Sequence, residues 1–230
     1  MPQETLDAVL DDWTTAEISA KTRGALQLLE FMTIHPQDID SDFIDELQTT
    51  GLNNLAIQEA ANVGFHYNLI DRVADAFEFP VPEDVAQKRL ARMLNITGRI
   101  LRAPQAQESW VIGEGDVIRP LEVEKGRNLL LSIPGATDPN LRKAVEAYVV
   151  AQWGKNRQDV PEVPPGLENY LKKLSLHAYR IVDEDIDSLS NSGYSDEMIY
   201  EITLVGAVGA ALVGLESVCA SQSSINTAMD

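Results

Sequence analysis

The chain has 230 residues and contains a single cysteine, Cys219. One thiol cannot form a disulfide within the chain, and it cannot supply a CxxC redox pair or a thiolate zinc site. The sequence also lacks a glycine-rich phosphate loop and the histidine spacings typical of metal ligands. We therefore predict no metal and no cofactor.

Basic residues are scarce, since 18 Lys and Arg stand against 36 Asp and Glu, for a formal charge of −18. Binding to a phosphate backbone depends on clustered Lys and Arg, so nucleic acid is not an expected partner. An anionic membrane surface is disfavoured for the same reason. The excess of acid is typical of high solubility and of adaptation to salt, and both interpretations stay open.

Long apolar segments are missing as well. The longest uncharged apolar run, Ile202–Leu215, has 14 residues and includes three glycines. A membrane-spanning helix needs about 20 residues, so this run predicts a buried core helix instead. The N-terminal segment MPQETLDAVLDDW is acidic and has no basic region followed by an apolar run, which argues against a signal peptide. We expect a cytoplasmic protein that does not enter a membrane.

Helical periodicity dominates what the sequence does contain. The segment Ile57–Phe77, IQEAANVGFHYNLIDRVADAF, predicts one long and largely apolar helix, with Asn53 or Asn54 as its N-cap. Gly51 ends the shorter helix before it, in the position where glycine commonly stops a helix. No segment shows a convincing period-2 alternation, so the predicted fold is all-α.

The sequence resembles itself when it is displaced by 142 residues. Without a gap, Leu29–Val73 aligns with Leu171–Leu215. The identical pairs are Leu29/Leu171, His35/His177, Ile39/Ile181, Ile44/Ile186, Asp45/Asp187, Leu47/Leu189, Gly51/Gly193, Ile57/Ile199, Glu59/Glu201, Val63/Val205 and Gly64/Gly206. This pattern predicts two copies of a unit made of a helix, a short helix, a glycine stop and a long buried helix, related by a pseudo-twofold axis.

The repeat divides the chain into three parts. Residues 1–102 form an N-terminal repeat with the candidate site, and a helix is predicted at its end, over Glu83–Arg102. Residues 103–165 are a loop-rich connector with one helix, which Asp138 caps. Residues 166–230 form the C-terminal repeat, and we expect all three parts to pack as one globular unit.

The segments FIDELQTTGLNNLAI and IQEAANVGFHYNLIDRVADAF resemble the alkylhydroperoxidase D-like superfamily, which includes the carboxymuconolactone decarboxylases. The segment LHAYRIVDEDIDSLSNSGYSDEMIYEITLVGAVGAALVGLE resembles the C-terminal unit of its two-repeat members. The likeness covers about residues 15–100 and 165–220. It implies an all-α, two-repeat helical bundle that assembles with itself, as a trimer or a dimer-based ring.

In that superfamily the peroxidase chemistry rests on a CxxCxxxH motif of the central helix, with a glutamate about twelve residues upstream. The matching positions here are Phe65, Asn68 and Arg72, with Asn53 upstream. None of these residues offers a thiol, an imidazole or a carboxylate. The resemblance therefore comes without the thiol chemistry, and a peroxide-related role is the least expected function.

One polar cluster on the central helix has the composition of an acid/base site. Glu59, Asn62 and His66 lie within about 60° of one another around the helix axis. A buried glutamate beside a histidine would orient the ring and keep it basic, so His66 and Glu59 are the predicted catalytic residues. The alternative is structural: Glu59 caps or bridges to the other repeat, where Glu201 recurs at the equivalent position.

A second cluster would hold the substrate. Arg72 can grip a carboxylate with two hydrogen bonds, and Asn68, Tyr67 and Asn62 are predicted to bind the same molecule. The alternatives are an ion pair of Arg72 with Asp75 in the same helix or with Asp45 or Glu46 of the preceding helix, and a core-filling role for Tyr67.

Two classes of function follow. The first is a cofactor-independent proton-transfer enzyme, a decarboxylase, lyase or isomerase acting on a small organic acid. The second is a non-catalytic binding or scaffold relative that forms homo-oligomers. The enzyme requires His66, Asn68 and Arg72 to face a common cavity, whereas the scaffold allows them to be used in contacts within the protein.

Overall fold

The computed structural model describes residues 2–79, 110–113, 118–154 and 161–227, with the side chains of the last helix given as far as Gln222. Within these ranges the chain forms nine α-helices and two short strands. They are α1 Gln3–Asp12, α2 Ala20–Ile34, α3 Ser41–Thr49, α4 Asn54–Ala76, β1 Trp110–Ile112, β2 Ile118–Pro120, α5 Leu121–Ser132, α6 Pro139–Ala151, α7 Leu167–Leu176, α8 Asp183–Asn191 and α9 Asp196–Thr227. The predicted, predominantly helical class is confirmed. The helix predicted over Glu83–Arg102 lies outside the described residues.

Local sequence signals account for several helix boundaries. The side chain of Asn53 accepts a hydrogen bond from the backbone N–H of Ala56 at 2.8 Å and caps α4. Asp138 caps α6 in the same way, through the N–H of Asn140 at 2.7 Å. The predicted cap at Asp138 is confirmed, and of the two asparagines predicted for α4 the cap is Asn53. Each cap depends only on atoms within a few residues.

Two stretches of the chain have the same sequence of elements. In the first, α2 is followed by a 3-10 turn at Pro36–Asp38, then by α3 and α4; in the second, α7 is followed by a 3-10 turn at Ala178–Arg180, then by α8 and α9. A displacement of 142 residues superimposes the ends of α2 and α7, both 3-10 turns, both short helices and the starts of α4 and α9. Gly51 and Gly193 both have φ of +94°, a conformation that residues with a side chain rarely adopt.

The helices α4 and α9 form the central pair of the bundle, and each approaches its neighbour closely at a glycine. A Cβ on Gly64 would lie 2.8 Å from Cδ2 of Leu29, and a Cβ on Gly206 would lie 2.7 Å from Cδ2 of Leu174. Farther along α9, a Cβ on Gly214 would lie 2.7 Å from the carbonyl oxygen of Met32. The small residues of α9 therefore allow other helices to pack against its backbone.

Two groups of buried apolar side chains make the core, and α9 contributes to both. The first group includes Leu28, Ile44, Ile57, Phe65, Leu212 and Leu215. The second includes Val145, Val149, Leu171, Leu174, Ile199 and Ile202. The start of α9 thus packs with α6 and α7, and its later turns pack with α2, α3 and α4.

The connector departs from the sequence prediction. Strands β1 and β2 pair antiparallel, with Val111 opposite Arg119, and α5 follows directly. The predictions of no strand and of a single helix in this region were wrong. Three-residue strands are too short to show alternation, and Gly126 weakens the helix signal of α5, which is nevertheless held by packing of Val123 and Leu131.

Helix α9 has the length and hydropathy of a membrane-spanning segment over Asp196–Gln222, with a mean hydropathy of 1.9 in its most apolar window. Within that window 78% of the residues are buried against the rest of the protein. The helix is thus a core element of this bundle, as the run Ile202–Leu215 predicted. Length and hydropathy do not decide localisation, and the cytoplasmic location stays a prediction.

Candidate functional site

A cavity of about 410 Å³ lies between α4, α5 and α9. Its wall is mostly apolar, and the contributing residues are Phe65, His66, Leu69, Glu122, Val123, Gly126, Arg127, Leu129, Leu130, Ile133, Leu204 and Val208. Apolar pockets of a few hundred Å³ with few polar groups are typical binding sites for small organic molecules. This cavity is the candidate functional site.

His66 is the predicted site residue that lines this cavity. Its Nδ1–H donates to the carbonyl oxygen of Asn62 at 2.8 Å, because a carbonyl can only accept. The ring also meets the edge of Phe65, with 5.2 Å between the ring centroids. These two contacts orient the imidazole and leave Nε2 as the atom that can meet a ligand.

Glu59 does not accompany His66. The residue is exposed, and no hydrogen bond joins it to His66 in the described structure. The prediction that a buried Glu59 carboxylate lies beside the His66 ring is therefore wrong. Seven residues of α-helix separate the two by about 10 Å along the axis, so a shared face does not bring their side chains into contact.

The equivalent residue, Glu201, has the structural role expected of it. Its carboxylate accepts hydrogen bonds from the N–H groups of Ala136 and Thr137 at 2.7 and 2.8 Å, and from the Thr137 hydroxyl at 2.6 Å. Arg142 lies 3.6 Å away. Burial alone would raise the pKa of Glu201, but the hydrogen bonds from Thr137 and Ala136 outweigh it and lower this pKa. Glu201 thus holds the loop before α6 against α9.

Arg72 and Asn68 are buried on another side of α4, away from the cavity. The guanidinium NH1 donates to the Asn68 side-chain oxygen at 2.6 Å, and NH2 donates to the carbonyl oxygen of Ser175 at 3.3 Å. Asn68 in turn donates to the hydroxyl of Thr33 at 3.0 Å and to the carbonyl of Gly64 at 3.1 Å. The pair therefore connects α4 to the ends of α2 and α7.

Burial lowers the pKa of Arg72 to about 10, although the charges of Asp71 and Asp75 counteract this shift. No carboxylate lies within 4.0 Å of the guanidinium among the residues that the structure describes, so the alternative ion pair with Asp75, Asp45 or Glu46 is wrong as well. The Nε atom of Arg72 is buried without a hydrogen-bond partner in the same part of the chain.

The predicted site is therefore divided. His66 lines the cavity with its ring held by the carbonyl of Asn62, whereas Asn68 and Arg72 lie on a different side of the same helix. Tyr67, predicted to bind the substrate, is 63% exposed and is not among the residues that line the cavity, and the alternative of a core-filling role is wrong. The requirement of a common cavity for His66, Asn68 and Arg72 is not met.

A network of buried ion pairs, which the sequence did not predict, lies beside the cavity. Arg119 in β2 contacts Glu124 of α5 at 2.6 Å and Glu216 of α9 at 2.7 Å. Arg127, which lines the cavity, holds both oxygens of Glu146 at 2.7 Å. The one signal for this network is Glu216, the only charged residue between Ile202 and Gln222.

The titration of the network reflects its burial. Burial raises the pKa of Glu216, and the nearby charge of Arg119 only partly opposes this shift. Burial, with a contribution from Glu216, also raises the pKa of the Cys219 thiol to about 12. The single thiol is therefore buried and stays protonated near neutral pH, which makes it a weak nucleophile.

Among the described residues, no group of three or more His, Cys, Asp and Glu side chains is placed to hold a metal ion. The described residues of the wall offer one oriented imidazole among mostly apolar side chains, next to the Arg127–Glu146 pair and to the Glu122 carboxylate, which contacts Lys125 at 2.9 Å. No protein-family model, no curated protein and no solved structure matches this chain.

Proposed function

We propose that this protein binds a small, largely apolar organic molecule in the cavity between α4, α5 and α9. The observation that carries the proposal is the composition of the wall, in which His66 presents an oriented ring nitrogen among apolar side chains. Its Nε2 would accept a hydrogen bond from a hydroxyl or acid O–H, or donate one to a carboxylate when the ring is protonated. An apolar molecule with one hydroxyl or carboxyl group fits this chemistry.

Binding without catalysis has the better support of the two functional classes. Proton-transfer enzymes combine a base with a group that holds the substrate or stabilises its charge. Glu59, Asn68 and Arg72 were the predicted sources of these groups. Glu59 is exposed and has no hydrogen bond to His66 in the described part of the chain, and Asn68 and Arg72 are buried against each other away from the cavity. Among the described residues that line the cavity, Arg127 is the remaining cation, and its guanidinium already donates to both oxygens of Glu146.

Calorimetric titration with octanoate and octanol tests this proposal. Gly126 lines the cavity, and a Cβ built there meets no atom within 4 Å, so Gly126→Leu places a side chain in the open space. We expect the wild type to bind at least one of the two probes and Gly126→Leu to lose binding. The matched control is Lys125→Leu, at the neighbouring exposed position. Absence of binding in the wild type, or equal binding by Gly126→Leu, would contradict the proposal.

A proton-transfer enzyme is the second candidate, because the Asn62 carbonyl holds Nδ1–H and leaves Nε2 as the basic atom. In that reaction a C–H proton next to the carbonyl of a bound 2-oxo acid would pass to Nε2, and a solvent deuteron would return to the same carbon. Proton NMR in D₂O with 2-oxooctanoate would follow the loss of that C–H signal. Exchange that the wild type accelerates and His66→Gln does not would favour the enzyme. An exchange rate that is the same with and without the protein would reject catalysis and keep only the binding function.

We also propose that the two halves are copies of one unit, as in the two-repeat members of the alkylhydroperoxidase D-like superfamily that the sequence resembles. The matching element bounds support it, and so does the equivalence of Gly64 and Gly206, which pack against residues 142 positions apart, Leu29 and Leu171. On this proposal the first copy holds the cavity histidine, and the second supplies the core helix α9.

Self-association is proposed for an exposed apolar stripe on α4. Val63, Tyr67 and Ile70 follow one another at helical spacing and are 49%, 63% and 58% exposed. Light scattering during size exclusion should give an oligomeric mass, and Tyr67→Lys with Ile70→Lys should give a monomer. Leu10→Lys, at an exposed leucine on α1, is the matched control. A monomeric wild type would reject this part of the proposal.

A further inference from the structure

A second concave site contains several basic side chains, although the protein as a whole is strongly acidic. It has a volume of about 360 Å³ and is formed by α7, the residue His177 after it, the 3-10 turn Ala178–Arg180 and the start of α8. The residues that line it are Asn169, Lys172, Lys173, His177, Arg180 and Asp185. We call this set the basic pocket.

Within the described residues, one basic side chain of the basic pocket is neutralised by an acid. Lys173 contacts both oxygens of Asp185 at 2.7 and 2.6 Å, and Asp185 also accepts the N–H of Val182 at 3.0 Å. No carboxylate lies within 4.0 Å of Lys172, His177 or Arg180 in the described part of the chain.

The arrangement has an internal comparison in the first half of the chain. The positions 142 residues earlier carry Glu30, Phe31, His35 and Asp38 in place of Lys172, Lys173, His177 and Arg180. There, His35 lies 3.9 Å from Asp38 and so has an acidic neighbour. The helix dipole favours basic residues at the C-terminal end of a helix, but the last turn of α2 contains no basic residue. The backbone therefore does not require the basic residues of the second half.

We propose that the basic pocket binds a small phosphate-bearing molecule, such as a phosphate ester. The guanidinium of Arg180 can hold two phosphate oxygens, while Lys172 and His177 add further N–H donors. The ring of Tyr179 lies 5.4 Å from the Arg180 guanidinium carbon and supports its position. The amide of Asn169 can bond to the uncharged part of the ligand.

The size and charge of the whole molecule restrict this ligand to a small one. A formal charge of −18 repels long polyanions and acidic surfaces at a distance, so nucleic acid and anionic membranes are poor candidates. A small anion meets the local charge of the basic pocket, because a large part of the repulsion is screened over about 10 Å at 0.1 M salt.

Phosphorus NMR and calorimetry with pyrophosphate and inorganic phosphate test the proposal at constant ionic strength. We expect pyrophosphate to bind the wild type, and Lys172→Gln with Arg180→Gln to weaken binding by about tenfold or more. Both residues are exposed, so the variant should fold. Lys125→Gln with Lys143→Gln, at exposed lysines elsewhere, is the matched control and should bind as the wild type does.

Four outcomes would overturn the proposal: no binding of pyrophosphate, equal binding by the Lys172 and Arg180 variant, equally tight binding of citrate, or cosedimentation of the wild type with phosphatidylcholine vesicles containing phosphatidylinositol phosphate. The last would assign the basic pocket to a lipid headgroup. Gly126→Leu should leave pyrophosphate binding unchanged, so failure of the cavity proposal and failure of this one are separate results.

Discussion

At the scale of single residues, burial decides what a polar side chain does in this protein. Arg72 and Asn68 have the chemistry of a carboxylate site, yet their hydrogen bonds join them to each other and to the carbonyl of Ser175. A charged group taken out of water is costly to leave without partners, and helix ends offer unpaired carbonyls that can serve. The pair therefore stabilises the joint between α4 and α7.

Replacing Arg72 by Met tests this structural role. The substitution leaves the Asn68 oxygen and the Ser175 carbonyl without their donor, so we expect the free energy of unfolding to fall by about 1–3 kcal/mol. Urea denaturation measures the loss. Lys143→Met, at an exposed position of α6, is the control and should change stability by less than about 0.5 kcal/mol. Octanoate binding that disappears in a folded Arg72→Met protein would instead assign Arg72 to the cavity.

Glu216 should make stability depend on pH. Burial raises the pKa of its carboxyl in the folded protein, so the folded state takes up a proton at a higher pH than the unfolded chain. Its contribution to stability is therefore fully present below the unfolded value of 4.5 and is lost as pH rises through the folded pKa. Glu216→Gln has no such titration.

Urea unfolding of both proteins between pH 7 and pH 4.5 measures the effect. Relative to Glu216→Gln, we expect the wild type to gain stability as pH falls across this range. Glu122→Gln removes an exposed carboxylate of α5 and controls for the loss of one charge. A stability difference between wild type and Glu216→Gln that does not change with pH would show that the contact with Arg119 cancels the effect of burial on this pKa, and a difference that changes in the opposite direction would show that the contact outweighs burial.

At the scale of elements, glycines decide how closely helices approach. Gly214 lies where α9 crosses the end of α2, and a Cβ there would meet the backbone oxygen of Met32 at 2.7 Å. Backbone cannot move aside as a flexible side chain can. Gly126 is different, because a Cβ at that position in α5 has open space around it.

The same substitution should therefore act in opposite directions at these two glycines. Gly214→Ala should lower the free energy of unfolding by about 1–3 kcal/mol through overpacking. Gly126→Ala should raise it by about 0.5–1 kcal/mol, since alanine loses less conformational entropy in a helix. Thermal and urea unfolding of both variants measure the changes. A stable Gly214→Ala protein would mean that α9 and α2 can separate without cost.

At the scale of the whole molecule, the net charge of −18 opposes the compact state. Screening of exposed charges becomes strong when the Debye length falls from about 30 Å at 0.01 M salt to about 8 Å at 0.15 M. We expect the free energy of unfolding to rise with sodium chloride over this range, as measured by thermal unfolding. A fall would indicate that attractive pairs such as Lys173–Asp185 dominate the surface.

The dependence of stability on salt also distinguishes an ordinary acidic protein from one adapted to high salt. An ordinary acidic protein should reach nearly constant stability once its surface charges are screened. A salt-adapted one should go on gaining stability in molar salt, where further gains cannot come from screening at long range. The same unfolding series, extended to 2 M sodium chloride, separates the two interpretations of the composition.

Local chemistry in the sequence was enough to predict the helical class, the caps Asn53 and Asp138, and the glycine stop at Gly51, because each depends on atoms a few residues apart. The face of α4 that carries His66 was also readable from periodicity. The sequence did not indicate which face of α4 meets a cavity, because the other walls of the cavity come from α5 and α9, which are distant along the chain. The partner of Arg72 is 103 residues away, and the network of Arg119 joins a hairpin to α9. Burial and long-range contact are properties of the packed chain, and therefore only the tertiary structure decided them.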